Sequence, residues 1–243
     1  MKKFIFLIDK MLSWIIGIGY GALSIDSEIR SFKKFIPNAK IFVDVGGNKG
    51  LYSMGLIKIF DFQKIHIFEP SIFNVEILKE KFLGNKKIII NNCGLSNVNS
   101  SATLFSDKSG SGLASLSNRK LDHFGIKFET MEEISLIRFD EYWDMNITEK
   151  YIDLLKIDVE GYELSVLKGV GNKIKNIKII QFEFGGCNID TKTYFQDFWY
   201  FFLENNFDIY RITPLGKFKI SSYSESLERF QTTNYFCVNR QLI

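Results

Sequence analysis

Acidic residues stand in or at the ends of four apolar runs of this chain. Asp44 lies inside 41–45, Glu69 ends 64–69, Asp158 ends 152–158 and Glu183 ends 177–183. A carboxylate fixed at a strand tip can accept hydrogen bonds from hydroxyl groups or take up a proton. Open α/β sheets bind ligands at that edge. Glu69 is placed as an acidic residue at the tip of a second strand, where ribose hydroxyls are read in nucleotide-binding sheets. Pro70 cannot extend a strand ladder, so the strand stops there and leaves the carboxylate at the sheet edge. The plainer alternative is that Glu69 only caps the helix expected over 71–82. Between Asp44 and Glu69 the string Gly46-Gly47-Asn48-Lys49-Gly50-Leu51-Tyr52-Ser53 reads as a glycine turn opening a helix. Its glycines let the backbone turn sharply and approach a ligand, and the free N–H groups of the helix can receive a polar group. Such turns also serve packing alone. Asp44, Gly46, Gly47, Asn48, Gly50, Tyr52, Ser53, Glu69 and Pro70 are thus the candidate cofactor-binding set for an adenosine-like group.

A second constellation follows in Leu155-Lys156-Ile157-Asp158-Val159-Glu160-Gly161-Tyr162-Glu163. The strand ends in Asp158, and Glu160-Gly161 opens the next helix. Period-2 alternation points Lys156 to the same face as Asp158, where it either orients the carboxylate or contacts substrate. Glu163, one turn on, suits the helix N-terminus better than a substrate. Asp158, Glu160, Glu183 and Lys156 are the candidate catalytic residues. The two histidines and three cysteines show no metal-ligand spacing, so no metal is expected.

At this point the chain resembles the FkbM-type methyltransferases. Val43-Asp44-Val45-Gly46-Gly47-Asn48-Lys49-Gly50 looks like the family's first motif, Phe68-Glu69-Pro70 its second, and the 155–163 string its signature. The resemblance runs over about 29–237. Gly47 departs from it, since the family usually has alanine there, a change that would loosen the turn without removing a ligand group. The resemblance implies S-adenosyl-L-methionine as cofactor and the class I methyltransferase fold. It places Asn92 near the adenine, although ordinary turn chemistry explains Asn92 equally well. It places substrate-facing material in 96–133, a stretch that otherwise reads as a mobile insert. It implies O-methylation of a small molecule or sugar, in bacteria often a surface-glycan hydroxyl or its precursor. Positioning supplies several kcal/mol of such a barrier. Asp158 is the first choice for base or acceptor anchor, Glu160 the second, and Glu183 a supporting contact. A nicotinamide-dinucleotide oxidoreductase is the rival, disfavoured because no Gly-x-Gly-x-x-Gly string occurs. A non-catalytic adaptor retaining the fold is a further rival, against which the intact acids argue.

The elements that must position these residues follow a doubly wound rhythm. Strands are expected at 41–45, 64–69, 87–93, 152–158 and 177–183, with helices at 50–60, 72–82 and 162–169 between them. Short extended pieces at 102–105 and 133–139 interrupt that order. The aromatic stripe of Phe195, Phe198, Trp199, Phe201 and Phe202 has helical spacing and reads as core. Strands at 207–213, 218–222 and 234–238 close the fold. The expected class is α/β: a doubly wound, mostly parallel seven-stranded sheet, Rossmann-like, with a closing antiparallel strand. A helical extension over 1–35 precedes one domain over 36–243. The formal charge of +3, without a basic run, argues against nucleic acid. Three cysteines fit free thiols in a reducing cytosol. The apolar run 11–23 is too short to span a bilayer. A helix docked on the domain is the first reading of 4–23, peripheral contact with a membrane or a partner the second, and secretion the third.

Overall fold

The computed structural model describes residues 2–20 and 25–243. Its centre is β1 (Ile41–Val45), five residues buried on both faces, as β-branched and aromatic side chains in a covered parallel strand should be. The chain then winds through α3 (Leu51–Ile59), β2 (Lys64–Phe68), α4 (Ile72–Lys81) and β3 (Ile88–Asn91) to one side of β1. After α5 (Phe139–Asn146) it returns through β7 (Ile152–Ile157), α6 (Glu163–Gly169) and β8 (Ile177–Phe184) on the other side. These five strands are parallel. The change of direction at β1 and β7 makes the crevice in which such sheets bind ligands.

The closing segment is α7 (Cys187–Thr191), α8 (Phe195–Glu204), β9 (Phe207–Thr213), β10 (Gly216–Ile220) and β11 (Thr233–Asn239). β11 slots antiparallel between β8 and β9, and β10 folds back on β9 as a hairpin. The main sheet therefore has eight strands, in the order β10-β9-β11-β8-β7-β1-β2-β3, where seven were expected. β10, which overlaps the strand expected at 218–222, carries Lys217 and Lys219 on an edge, and charged edge strands resist pairing with another chain.

Residues 94–137 form a second, smaller sheet. β4 (Gly94–Leu95) pairs parallel with β6 (Thr130–Ile137), and β5 (Ser100–Ser106) pairs antiparallel with β6. Leu104, Ile134 and Leu136 give it a small core of its own. The long connection after β5 bends back on it where Phe105 and Ser115 exchange backbone hydrogen bonds.

Two apolar cores cover the main sheet. Val43, Phe68, Leu155 and Phe182 face one, and Phe42, Ile65, Leu154 and Ile179 face the other, as period-2 alternation requires. Phe195, Phe198 and Phe202 of α8 are fully buried, and Phe198 and Phe202 stack on Phe182 with centroids 4.7 and 5.3 Å away. The stripe is core. Ahead of the sheet lie α1 (Lys2–Ile15) and α2 (Ile25–Lys33), and Ile29 and Phe32 of α2 are fully buried in the second core. Part of the apolar run, 21–23, falls outside the described residues. Among the described residues no helix is long and apolar enough to cross a membrane.

Candidate active site

The glycine turn leaves β1 pressed against the tip of β7. Gly46 has φ +78°, and a Cβ on it would sit 1.8 Å from the carbonyl oxygen of Asp158. The Gly46 and Gly47 amides both donate to the Phe68 carbonyl, at 2.9 and 3.1 Å, which ties the turn to the end of β2. A Cβ on Gly47 would lie 2.3 Å from Cγ2 of Ile67. Here the structure corrects the sequence reading: glycine does not loosen this turn, because Ile67 occupies the space an alanine would take. Gly50, at φ +74°, packs against Leu78 and Phe82 and opens α3.

Several expected cofactor residues support the turn from below. Asp44 is fully buried; Ser53 Oγ donates to its Oδ2 at 2.7 Å, and burial pushes its carboxyl up. Tyr52 is buried too, its hydroxyl donating to Gln181 Oε1, while Gln181 Nε2 donates to Glu28 at 2.8 Å. Asn92 is exposed and its Nδ2 donates to the Pro70 carbonyl at 2.8 Å, so it braces the end of β2 from outside the cavity.

Glu69 is the buried acid of the cavity wall. Its Oε2 accepts from the Asn48 amide at 2.7 Å, and its Oε1 from the Ser71 amide at 2.9 Å and Asn74 Nδ2 at 3.4 Å. Burial raises its carboxyl, and these bonds oppose the rise. Three donors leave room at a carboxylate for about one more. Asn74 Oδ1 is buried without a hydrogen-bond partner on the same wall. Gly46, Asn48 and Pro70 complete the polar side; Leu95, Leu104, Leu116, Ile134 and Leu136 line the apolar side. The cavity holds about 720 Å³ out to its open mouth. A spare carboxylate position and an orphaned amide oxygen, facing an apolar wall, fit hydroxyl and amine donors on a molecule that also carries a flat apolar ring. That is the chemistry of an adenosine.

Acids crowd the other end. Asp158 is held by its own amide, which donates to the Val45 carbonyl at 3.0 Å. Its side chain is 38% exposed and lines the cavity. Lys156 Nζ donates to Asp158 Oδ2 at 3.0 Å, lies 3.9 Å from Asp44 Oδ1 and sits over the Tyr52 ring. Burial would lower the Lys156 ammonium, but Asp158 and Asp44 outweigh it and raise it. Lys156 thus positions Asp158 from within the wall. Glu160, at φ +52°, accepts from Arg119 Nη1 at 2.8 Å. Burial, then Asp158, pushes its carboxyl up to about 8 against the pull of Arg119. Glu163 Oε1 accepts from the Val159 and Gly161 amides at 3.1 Å each, so it fixes the turn before α6. Burial pushes it up to about 7. Glu183 is raised well above its ordinary value by burial and by its acidic neighbours.

Asp158, Glu160 and Glu183 each offer a carboxylate oxygen within 4.8 Å of the others. That spacing suits a shared proton or one divalent cation, although Lys156 and Arg119 already partner two of the three. All three stand among the residues the sequence marks as catalytic candidates, and the end of β7, the turn after it and β8 each bring one. Sequence reasoning missed Arg119 and Ser115, and it gave no role to Tyr162, which lines the cavity. Ser115 Oγ donates to the Glu160 carbonyl at 2.8 Å, and Arg119 Nε reaches Asp190 at 3.0 Å. The connection between β5 and β6 therefore lies across the site and is latched to it.

A mostly parallel sheet, a glycine turn after β1 and an acid after β2 define the architecture of class I methyltransferases. Residues 44–209 match the model of the methyltransferase FkbM domain, and the chain belongs to that family. Among solved structures it resembles the methyltransferase FkbM from Methylobacillus flagellatus KT, with a TM-score of 0.51 and 18% identity over 82% of this chain. Only 43% of that protein is covered, so this chain spans less than half its length. It also resembles M. capricolum TrmK, solved with S-adenosylhomocysteine, with a TM-score of 0.48 and 13% identity over 90% of this chain and 69% of that one. A third is SMU.1697c, a putative methyltransferase from Streptococcus mutans solved with the same product; there the TM-score is 0.47 and identity 9%, over 89% and 98% of the two chains. No curated protein matches the sequence.

Proposed function

We propose that this chain is an S-adenosylmethionine-dependent O-methyltransferase whose acceptor is a hydroxyl of a sugar, a glycan precursor or another small polar molecule. Family membership supports methyl transfer. The observation that carries the oxygen acceptor is Asp158: a carboxylate on the cavity wall, fixed by Lys156, with two further carboxyl groups within 4.8 Å. The cofactor, when bound, supplies a methyl group on sulfur and leaves as a neutral thioether. Glu69 and Asn74 would hold the ribose side, and Leu95, Leu116 and Leu136 would cover the base. Asp158 takes the proton of the attacking hydroxyl. With its carboxyl pushed up to about 8, Glu160 donates a hydrogen bond to a neighbouring acceptor oxygen, and Glu183 is a supporting contact to the acceptor. Several hydroxyls on one ring would satisfy this cluster of acids. The near-neutral net charge speaks against a long polyanionic acceptor. The three free thiols suit a reducing, cytoplasmic setting.

The test is a panel of sugars, nucleotide sugars, lipid-linked glycan precursors, peptides, lipids and RNA offered with a labelled methyl donor and read by mass spectrometry. Label on a sugar or small-molecule hydroxyl is the expected result. Product only from peptide, lipid or RNA overturns the acceptor class. Tight binding of a nicotinamide dinucleotide, with no binding of S-adenosylmethionine or S-adenosylhomocysteine, overturns the whole reading.

A further inference from the structure

Helix α1 turns seven of its apolar side chains to water. Phe4, Leu7, Ile8, Met11, Leu12, Trp14 and Ile15, with Ile16 just beyond, are 37–66% exposed. Spacings of three and four between positions 4, 7, 8, 11, 12 and 15 put them on one stripe. Among the side chains of α1 that are described, the buried one is polar: Ser13 is 6% exposed and its Oγ accepts from Arg229 at 3.2 Å. A helix docked by its apolar face would show the opposite pattern. An exposed stripe of this kind marks a contact with something outside the molecule.

The foot of the helix is fixed. The Ile16 carbonyl accepts from Arg211 at 3.4 Å, Ile18 is buried, and Gly17, at φ +91°, packs so closely on β9 that a Cβ would lie 2.2 Å from the Ile212 carbonyl. Ile212 pairs across the hairpin with Lys217. Lys217 lies 4.8 Å over the Phe35 ring and beside Lys34; partial burial, then the Lys34 ammonium, pushes Lys217 down to about 8. Among the described residues no carboxylate forms an ion pair with either lysine. Leu215, at the tip of the same hairpin, is 86% exposed. An apolar stripe, a lone leucine and two unneutralised lysines thus meet at one end of the molecule. Lys2, Lys3 and Lys10 against the single acid Asp9 give the α1 sequence the same sign.

Apolar side chains bordered by lysines complement the interface of a bilayer with anionic head groups. A symmetric second copy fits less well, because an isologous contact presents the same patch to itself, and the residues of that patch named here offer Lys34 and Lys217 no carboxylate but Asp9. At 14 residues α1 is too short to span a bilayer. We propose that α1 lies in the plane of an anionic membrane surface, its stripe in the head-group boundary, with Leu215 beside it and Lys34 and Lys217 against the phosphates. This inference does not depend on the methyltransferase reading.

The full chain is to be sedimented with vesicles of phosphatidylcholine alone, or with added phosphatidylglycerol. It should pellet with the anionic vesicles, be released by high salt, and show a blue shift in fluorescence that Trp14→Phe removes. Met11→Glu combined with Ile15→Glu should lower the partition coefficient at least about tenfold, with circular dichroism and thermal unfolding unchanged because both side chains are exposed. Lys34→Glu should weaken binding to anionic vesicles only. Failure to pellet with either vesicle overturns the proposal, as does equal binding to neutral and anionic vesicles. So does a dimer in light scattering that the Met11→Glu, Ile15→Glu variant abolishes, since the stripe's occupant would then be a second copy.

Discussion

Asp158 and Glu160 are two residues apart and do different work because their surroundings differ. Asp158 is 38% exposed, opens on the cavity and is pinned by Lys156; Glu160 is 17% exposed and engaged by Arg119. With its carboxyl pushed up to about 8, Glu160 is a poor base at neutral pH. Asp158→Asn should therefore lower kcat and kcat/KM together, by about 10²-fold or more, with cofactor affinity unchanged. Glu160→Gln, which keeps a hydrogen-bond donor, should cost less. Steady-state kinetics with calorimetry of the cofactor separates the two. If Asp158→Asn abolishes cofactor binding instead, Asp158 belongs to the cofactor site and the base must be Glu160 or Glu183. Glu69 can be tested in the same way. Its carboxylate has room for one more donor, so Glu69→Ala should weaken S-adenosylhomocysteine binding by about 1.5–3 kcal/mol. Unfolding curves must accompany that measurement, because the Asn48 and Ser71 amides lose their acceptor as well. An unchanged affinity in a folded variant would remove Glu69 from the cofactor site.

The glycine turn joins three strands through contacts too close for a side chain, and its two glycines differ in what opposes a substitution. At Gly46 the obstacle is a backbone carbonyl on β7 together with a positive φ, so Gly46→Ala should cost about 3 kcal/mol or more. At Gly47 it is one methyl group of Ile67, which can shift, so Gly47→Ala should cost about 1–2 kcal/mol. Urea titration of both variants checks the order, and equal losses would contradict this account of the turn. The turn itself was legible because strand, glycines and the acid of β2 lie within about 30 consecutive residues. The same holds for β7 and its acids, where period-2 burial and the chemistry share one short string. Arg119 and Ser115 were not legible. They reach Glu160 from a connection some 40 residues earlier, in a stretch with no helical or strand period, and only tertiary contact gives them a role. The chain of hydrogen bonds from Tyr52 through Gln181 to Glu28 was hidden for the same reason, since it links three elements far apart in sequence. The sequence places β10 at 218–222, two residues late, because Gly216 and Lys217 at its start lack the apolar character of a covered strand.

On the scale of the whole molecule, these buried acids make stability depend on pH in an unusual direction. Burial raises Glu28 and Glu163 to about 7 and Glu160 to about 8, from an ordinary value of 4.5. Between pH 4.5 and those values the folded chain binds more protons than the unfolded one, so stability must fall as pH rises. The contribution of each acid is fully present below about pH 4.5 and is lost as pH passes its folded value. His66 opposes them. Burial holds it down to about 4, so its contribution grows with pH up to its ordinary 6.5, where it ends. Three acids outweigh one histidine through most of this window, and above pH 6.5 the histidine contributes no further slope. The free energy of unfolding should therefore decrease from about pH 5 to pH 8, the reverse of a protein whose carboxylates are stabilised as anions. Glu163 is fully buried and accepts two backbone amides through Oε1, an arrangement a glutamine can keep. Glu163→Gln should make the curve shallower by up to about 1.4 kcal/mol per pH unit between pH 5 and 7. Urea unfolding at half-unit pH steps, on both proteins, reads this directly. A wild-type stability that climbs across the interval, or a glutamine variant with the wild-type slope, would show that these carboxyl groups are ionised in the folded chain, with counter-charge reaching them.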